Sequence, residues 1–137
     1  MNNEKEKVVI DAGEGILGRI ASYAAKQALL GKSVIIINCH NALITGRRRT
    51  SIREYGEIRR RGGASLKGPF FPKHSERLMK RTVRGMLNYQ QARGLEAFKR
   101  ILCYPNVPEE YKNSKKIIFK TDTKAKTMSL QDLSKEI

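Results

Sequence analysis

A run of β-branched apolar residues opens the pattern, and Lys7-Val8-Val9-Ile10-Asp11-Ala12 predicts a short strand buried on both faces, as in a parallel sheet. Gly13, Gly15 and Gly18 break it. From Leu17 the apolar period lengthens to that of a helix. Leu17, Ile20, Ala21, Ala24 and Ala28 fall on one face, Arg19, Ser22, Lys26 and Gln27 on the other, and Gly31 marks the end. Ser33 to Asn38 predicts a second buried strand. Residues 7–38 therefore form a strand–helix–strand unit, whose right-handed crossover implies a parallel sheet. Asn41 to Thr45 adds a further short element.

Beyond Gly46 the apolar residues thin out. Residues 47–61 are expected to be helical, whereas Gly62-Gly63 and Gly68-Pro69 make residues 62–72 a loop. Ser75-Glu76 reads as a helix start. That helix should carry Leu78, Met79, Val83, Met86 and Leu87 inward and Arg77, Lys80, Arg81 and Arg84 outward, ending near Asn88. A shorter helix at residues 93–100, with Leu95 and Phe98 inward, leads to a strand at Ile101-Leu102-Cys103-Tyr104 before Pro105 and Pro108. We thus expect an α/β domain over residues 1–108, with the basic helix and loop of residues 46–84 inserted in it. Residues 109–137 read as a C-terminal extension. It holds the β-prone Ile117-Ile118-Phe119 and a terminal helix starting at Ser129, which Asp132 is placed to cap.

Charge changes the picture from a generic α/β domain to a polyanion binder. The 137 residues include 28 Lys and Arg against 13 Asp and Glu, a formal net charge of +15, so the surface repels itself unless an anion covers it. Residues 46–84 hold thirteen cations (Arg47, Arg48, Arg49, Arg53, Arg59, Arg60, Arg61, Lys67, Lys73, Arg77, Lys80, Arg81, Arg84) against Glu54, Glu57 and Glu76, a local excess of +10. Phosphate backbones are the usual partner of such a stretch, because each neutralised phosphate releases condensed counterions. A membrane is the competing polyanion, but no stretch approaches the roughly 20 apolar residues of a spanning helix. The start of the chain is polar, without a signal-peptide core. Cys39 and Cys103 read as reduced core residues, and His40 and His74 are too far apart in sequence to suggest a metal site.

One motif points elsewhere. Gly13-Glu14-Gly15-Ile16-Leu17-Gly18 has the dinucleotide-binding spacing, after a strand and at the head of a helix. However, the second strand ends in Asn38, Cys39, His40 and Asn41 rather than in the carboxylate that would hold a ribose, and Glu14 puts a negative charge in the phosphate loop. The glycines are sufficiently explained by a tight, closely packed turn. No Ser–His–acid grouping, paired carboxylates or Walker loop can be assembled, so we expect no catalytic residues, no cofactor and no small-molecule substrate.

In this order of elements, four segments resemble the large-subunit ribosomal protein L-thirteen family over roughly residues 7–108. They are Ile10-Asp11-Ala12 with Leu17-Gly18-Arg19-Ile20-Ala21-Ser22; Ile37-Asn38 with Thr45-Gly46; Lys67-Gly68-Pro69-Phe70; and Arg81-Thr82-Val83-Arg84-Gly85-Met86-Leu87. Arg93-Gly94 and Tyr104 are similar to the family too, whereas Asn88-Tyr89 and Pro72-Lys73-His74-Ser75 depart from its pattern. The likeness is to the archaeal and eukaryotic branch, the modest length favouring the archaeal type. It implies a three-layer α/β/α fold with a short, mostly parallel sheet of about four strands. It also implies a structural constituent of the cytoplasmic large ribosomal subunit that binds and organises rRNA in early assembly, beside neighbouring ribosomal proteins. On that reading the rRNA contacts are Arg47, Arg48, Arg49, Arg53, Arg59, Arg60, Arg61, Lys67, Gly68, Lys73, His74, Lys80, Arg81, Arg84 and Arg93. Phe70, Phe71 or Tyr55 would stack on an unpaired base, the alternative for Phe70 and Phe71 being a tuck into the protein's own core, and the extension would meet a protein neighbour or a second RNA segment. The alternatives are a small nucleotide-dependent enzyme using Gly13 to Gly18 and a free RNA-binding regulator.

Overall fold

The structure is a computed structural model and describes residues 6–60, 72–119 and 125–137. In chain order its elements are β1 (Lys7–Asp11), α1 (Leu17–Leu29), β2 (Ser33–Ile37), β3 (Leu43–Thr45), α2 (Arg48–Arg60), α3 (Ser75–Met86), α4 (Ala92–Lys99), β4 (Ile101–Cys103), β5 (Ile117–Ile118), β6 (Thr127–Ser129) and α5 (Leu130–Glu136). β1 lies parallel to β2, from Lys7 opposite Ser33 to Asp11 opposite Ile37. β4 joins the free side of β2 and β5 the free side of β1, both in parallel, giving the order β4-β2-β1-β5. The short β3 and β6 pair antiparallel in a separate ribbon.

Because side chains alternate across a strand, the isoleucine-rich β1 and β2 supply two apolar faces. Ile10, Val34 and Ile36 face a helical layer formed by Ile20, Ala21, Ala24 and Ala28 of α1, Leu78, Met79 and Val83 of α3, Ala97 of α4, and Leu130 and Leu133 of α5. The alanines of α1 let that helix lie close to the sheet. On the opposite face Val9, Ile35 and Ile37 are covered by Tyr104, Val107 and Tyr111. The α/β class and the four parallel strands match expectation. The layer on this second face is thinner than the resemblance implied: among the described residues it is a loop and a 3-10 turn at Glu109–Tyr111 with Pro108 at its start.

Several elements differ from the sequence expectation. Met86 is 45% and Leu95 41% exposed, although both were placed inward. Met86 is the last residue of α3. In α4, Gly94 and Ala97 face inward, which turns Leu95 roughly 100° away from the core. A Cβ at Gly94 would strike the backbone of Asn88, so only glycine permits that approach. Within residues 109–137, read from the sequence as a C-terminal extension, the described residues pack against the rest of the chain. They supply the edge strand β5, the ribbon strand β6 and helix α5, and Leu130 and Leu133 are fully buried. Ser129 caps α5 as expected, its Oγ accepting from the Asp132 amide at 3.2 Å, while the Leu130 amide donates to the Ala42 carbonyl at 2.9 Å.

The glycine turn is held by packing. Its left-handed residue is Glu14, at φ 61°, and Asn38 across from it has φ 60°. A Cβ on Gly15 would lie 2.7 Å from the Phe119 carbonyl oxygen, whereas one on Gly18 meets nothing within 4 Å. We therefore expect Gly15→Ala to destabilise by about 1–3 kcal/mol, since a backbone must move. Gly18→Ala should be neutral or stabilising by up to about 1 kcal/mol, since alanine favours the helix. Thermal melts of the two variants check this, and equal effects would refute the packing account. Leu133→Ala should cost roughly 2–5 kcal/mol in denaturant unfolding. An unchanged midpoint would mean that α5 does not belong to the core.

Candidate nucleic-acid interface

α2 is anchored by one narrow side. Ser51 is buried and Ile52 and Tyr55 rest on the core, while Arg48, Arg49, Arg53 and Arg60 are exposed. Burial, and then the carboxylate of Glu54, push the Tyr55 phenol above its usual pKa. The first turn of α2 contains no acid. Arg48 and Arg49 stand at the positive end of the helix dipole, a placement that costs a few tenths of a kcal/mol (~0.3–1) instead of stabilising the helix. Arg48 reaches Glu136 of α5 at 3.3 Å, but this pair is solvent-exposed and contributes little to stability. Arg47 is exposed just before the helix. Arg59 behaves differently from its neighbours: it is half-buried, and its Nη1 is buried without a hydrogen-bond partner.

α3 puts its apolar residues on the core and four cations on the other side. Arg77, Lys80, Arg81 and Arg84 recur at helical spacing and, with Pro72 and Phe98, line a cleft of about 290 Å³. None of the described residues that line it is acidic. The Lys80 ammonium lies 5.1 Å from the centre of the Phe98 ring, and the Arg84 guanidinium carbon 4.9 Å from that of Tyr89. These contacts hold two long side chains against aromatic faces before any ligand arrives. A second groove of about 390 Å³ separates α2 from α3, lined by Glu54, Tyr55, Ile58, Arg81 and Thr82. Ser75 begins α3, but its hydroxyl turns inward and lies 2.8 Å from His40 Nδ1; His74 occupies the capping position.

The predicted contact residues thus fall into groups. Arg47, Arg48, Arg49, Arg53 and Arg60 share the exposed side of α2 or its start, and Lys73 and His74 are exposed just ahead of α3. Lys80, Arg81 and Arg84 meet in the cleft. Arg93 is exposed on α4 and does not line it. Arg61, Lys67 and Gly68 lie outside the described residues, as do Gly62, Gly63, Pro69, Phe70 and Phe71. The sequence counts Arg77 among the cations without singling it out as a contact, and Phe98, expected inward, packs against the core and also lines the cleft. The spacing of residues 77, 80, 81 and 84 carried the signal for Arg77, whereas the position of Phe98 depends on how α4 packs.

Not every cation belongs to this surface. Arg100 donates from Nη1 to the Ala28 carbonyl at 2.9 Å, closing the last turn of α1, and its Nη2 lies 3.9 Å from Glu96. The glycine turn offers a pocket of about 540 Å³ lined by Asp11, Gly13, Glu14, Asn38, Asn41, Leu43, Ile118 and Ser129. Among the described residues that line it, Asp11 and Glu14 are carboxylates and none is a cation, a lining unlike that of a pyrophosphate site. Asp11 instead accepts from the Gly13 amide at 2.9 Å and from Asn38 Nδ2 at 3.3 Å, bracing the turn. The free thiol of Cys39 donates to the Ile36 carbonyl at 3.8 Å; its interaction with the Cys103 thiol, and then burial, push it far above the usual thiol pKa, consistent with an inert core residue. Among the described residues no cluster of His, Cys, Asp or Glu is suited to a metal, and no helix is long and apolar enough to cross a membrane.

A parallel α/β platform that carries on α2 and α3 an excess of cations over Glu54, Glu57 and Glu76 defines a polyanion-binding protein of the small α/β class. A family model described as ribosomal protein L13 matches residues 5–110. The large ribosomal subunit protein uL13 of Methanosarcina barkeri is 48% identical over 110 residues, covering 80% of this chain and 78% of the relative. Its namesake in Methanococcoides burtonii is 45% identical over 106 residues, covering 77% and 76%. That of Methanocaldococcus jannaschii is 38% identical over 132 residues, covering 94% and 96%. The chain belongs to the ribosomal protein L13 family.

The two kinds of arginine should separate experimentally. Arg100→Ala is expected to lower stability by roughly 1–3 kcal/mol, through loss of a charged hydrogen bond, without changing the salt concentration that elutes the protein from immobilised heparin. Arg49→Gln with Arg53→Gln should do the reverse, eluting earlier and melting as the parent does. Elution shifted by Arg100→Ala alone would invert the assignment.

Proposed function

We propose that this chain is a structural constituent of the large ribosomal subunit in the cytoplasm, where it binds and organises rRNA from early in assembly and touches neighbouring ribosomal proteins. The observation that carries the reading is the concentration of exposed arginines on α2 and of cations in the α3 cleft, in a chain whose relatives are named large ribosomal subunit proteins. The sheet and its helices act as a rigid mount, and nothing in the reading requires catalysis. Arginine suits the task because its planar fork spans phosphate oxygens and stays charged at cellular pH.

In this reading Arg47, Arg48, Arg49, Arg53 and Arg60 approach one RNA surface, with Lys73, His74, Lys80, Arg81, Arg84 and Arg93 approaching the adjoining one. Arg59 contributes less, being held inward. The proposed contacts at Arg61, Lys67 and Gly68 stand on the sequence alone. Sedimentation of a cell lysate tests the proposal: the chain should travel with the large subunit and remain in the particle through moderate salt. Binding of the purified chain to deproteinised large-subunit rRNA should weaken roughly 10³- to 10⁵-fold between about 50 and 200 mM salt, as expected for about six to ten phosphate contacts. A chain found only at the top of the gradient, or a flat salt response, would sink the proposal.

A further inference from the structure

We infer that the cleft on α3 is a sequence-blind phosphate clamp, which takes adjacent backbone phosphates of a single RNA strand and not a base. The inference rests on the rRNA-binding reading and adds the chemical identity of what enters this site. Arg77, Lys80, Arg81 and Arg84 converge on a space of about 290 Å³ with no carboxylate among the described residues that line it. Arg77, Lys80 and Arg84 are like charges at three- and four-residue spacing along one helix face, a mutual repulsion that an anion in the cleft relieves. The cleft also contains an aromatic ring that would ordinarily suit a base. Here the Lys80 ammonium already lies over the Phe98 ring at 5.1 Å, and the nearby Tyr89 ring is engaged by Arg84 at 4.9 Å. Phe98 packs against the core, so a base stacking on it would compete with Lys80, whereas a phosphate is attracted by the cations as they stand. Arg84 and Lys80 are held in place by the rings, so less side-chain freedom is lost on binding than for an unsupported arginine.

The test uses the full chain and two probes of equal length, oligouridylate and oligoadenylate, the second stacking far more strongly. For each, the slope of log affinity against log salt concentration is measured. Arg77→Gln with Arg84→Gln keeps most of the side-chain length and should reduce the slope by about 1.4 on both probes, at about 0.7 per phosphate of a single strand. Arg77→Lys with Arg84→Lys keeps the charge and should retain the parent slope. Arg49→Gln with Arg53→Gln and Arg60→Gln serves as the reference on α2, and melting curves establish that each variant is folded. A reduced slope on oligoadenylate alone would overturn the clamp in favour of base stacking. An unchanged slope for the cleft variant, with a reduced one for the α2 variant, would overturn the clamp while leaving the rRNA-binding reading intact. If neither variant changes the slope, both fail.

Discussion

The residue-for-residue pairing of β1 with β2 is the constraint on which the rest depends. It sets Ile10, Val34 and Ile36 on one face of the sheet and Val9, Ile35 and Ile37 on the other. A slip of one residue between these strands would exchange the two sets and leave the alanine face of α1 without its partner. The exposed cations are mounted on the outside of that arrangement. α3 can dedicate one side to Arg77, Lys80, Arg81 and Arg84 because Leu78, Met79 and Val83 secure the other side to the core.

Charge is the second constraint, and the fold does not resolve it internally. The ion pairs Lys32–Glu6, Arg48–Glu136 and Arg100–Glu96 span 3.3 to 3.9 Å, and each has a substantially exposed carboxylate. Such pairs contribute on the order of 0–1 kcal/mol apiece. They cannot neutralise a formal charge of +15. The compensation has to come from outside the chain, and an RNA backbone supplies a dense array of anions without demanding that the protein bury them.

The two ends of the chain show how a small domain completes its core. With 137 residues there is little apolar material to spare, and residues 109–137 are enlisted through β5, β6 and the two buried leucines of α5. The same economy explains the glycine turn. Gly15 is pressed against the backbone of Phe119 from the C-terminal part of the chain, so a motif that elsewhere admits a pyrophosphate here admits another piece of protein.

The strand–helix–strand unit of residues 7–38, the two basic helices and the cap at Ser129 were legible in the sequence, because each follows from local periodicity or from a side chain bonding to its own turn. The excess of cation between residues 46 and 84 was equally plain, since charge can be counted without coordinates. Tertiary packing alone decided which cations share a cleft, why Arg59 and Arg100 turn away from solvent, and that Leu95 faces outward while Phe98 lines a wall. It also decided that the C-terminal segment joins the sheet. These outcomes depend on contacts between residues far apart in the chain, whose energies are set by how elements meet and leave no periodic trace in either segment.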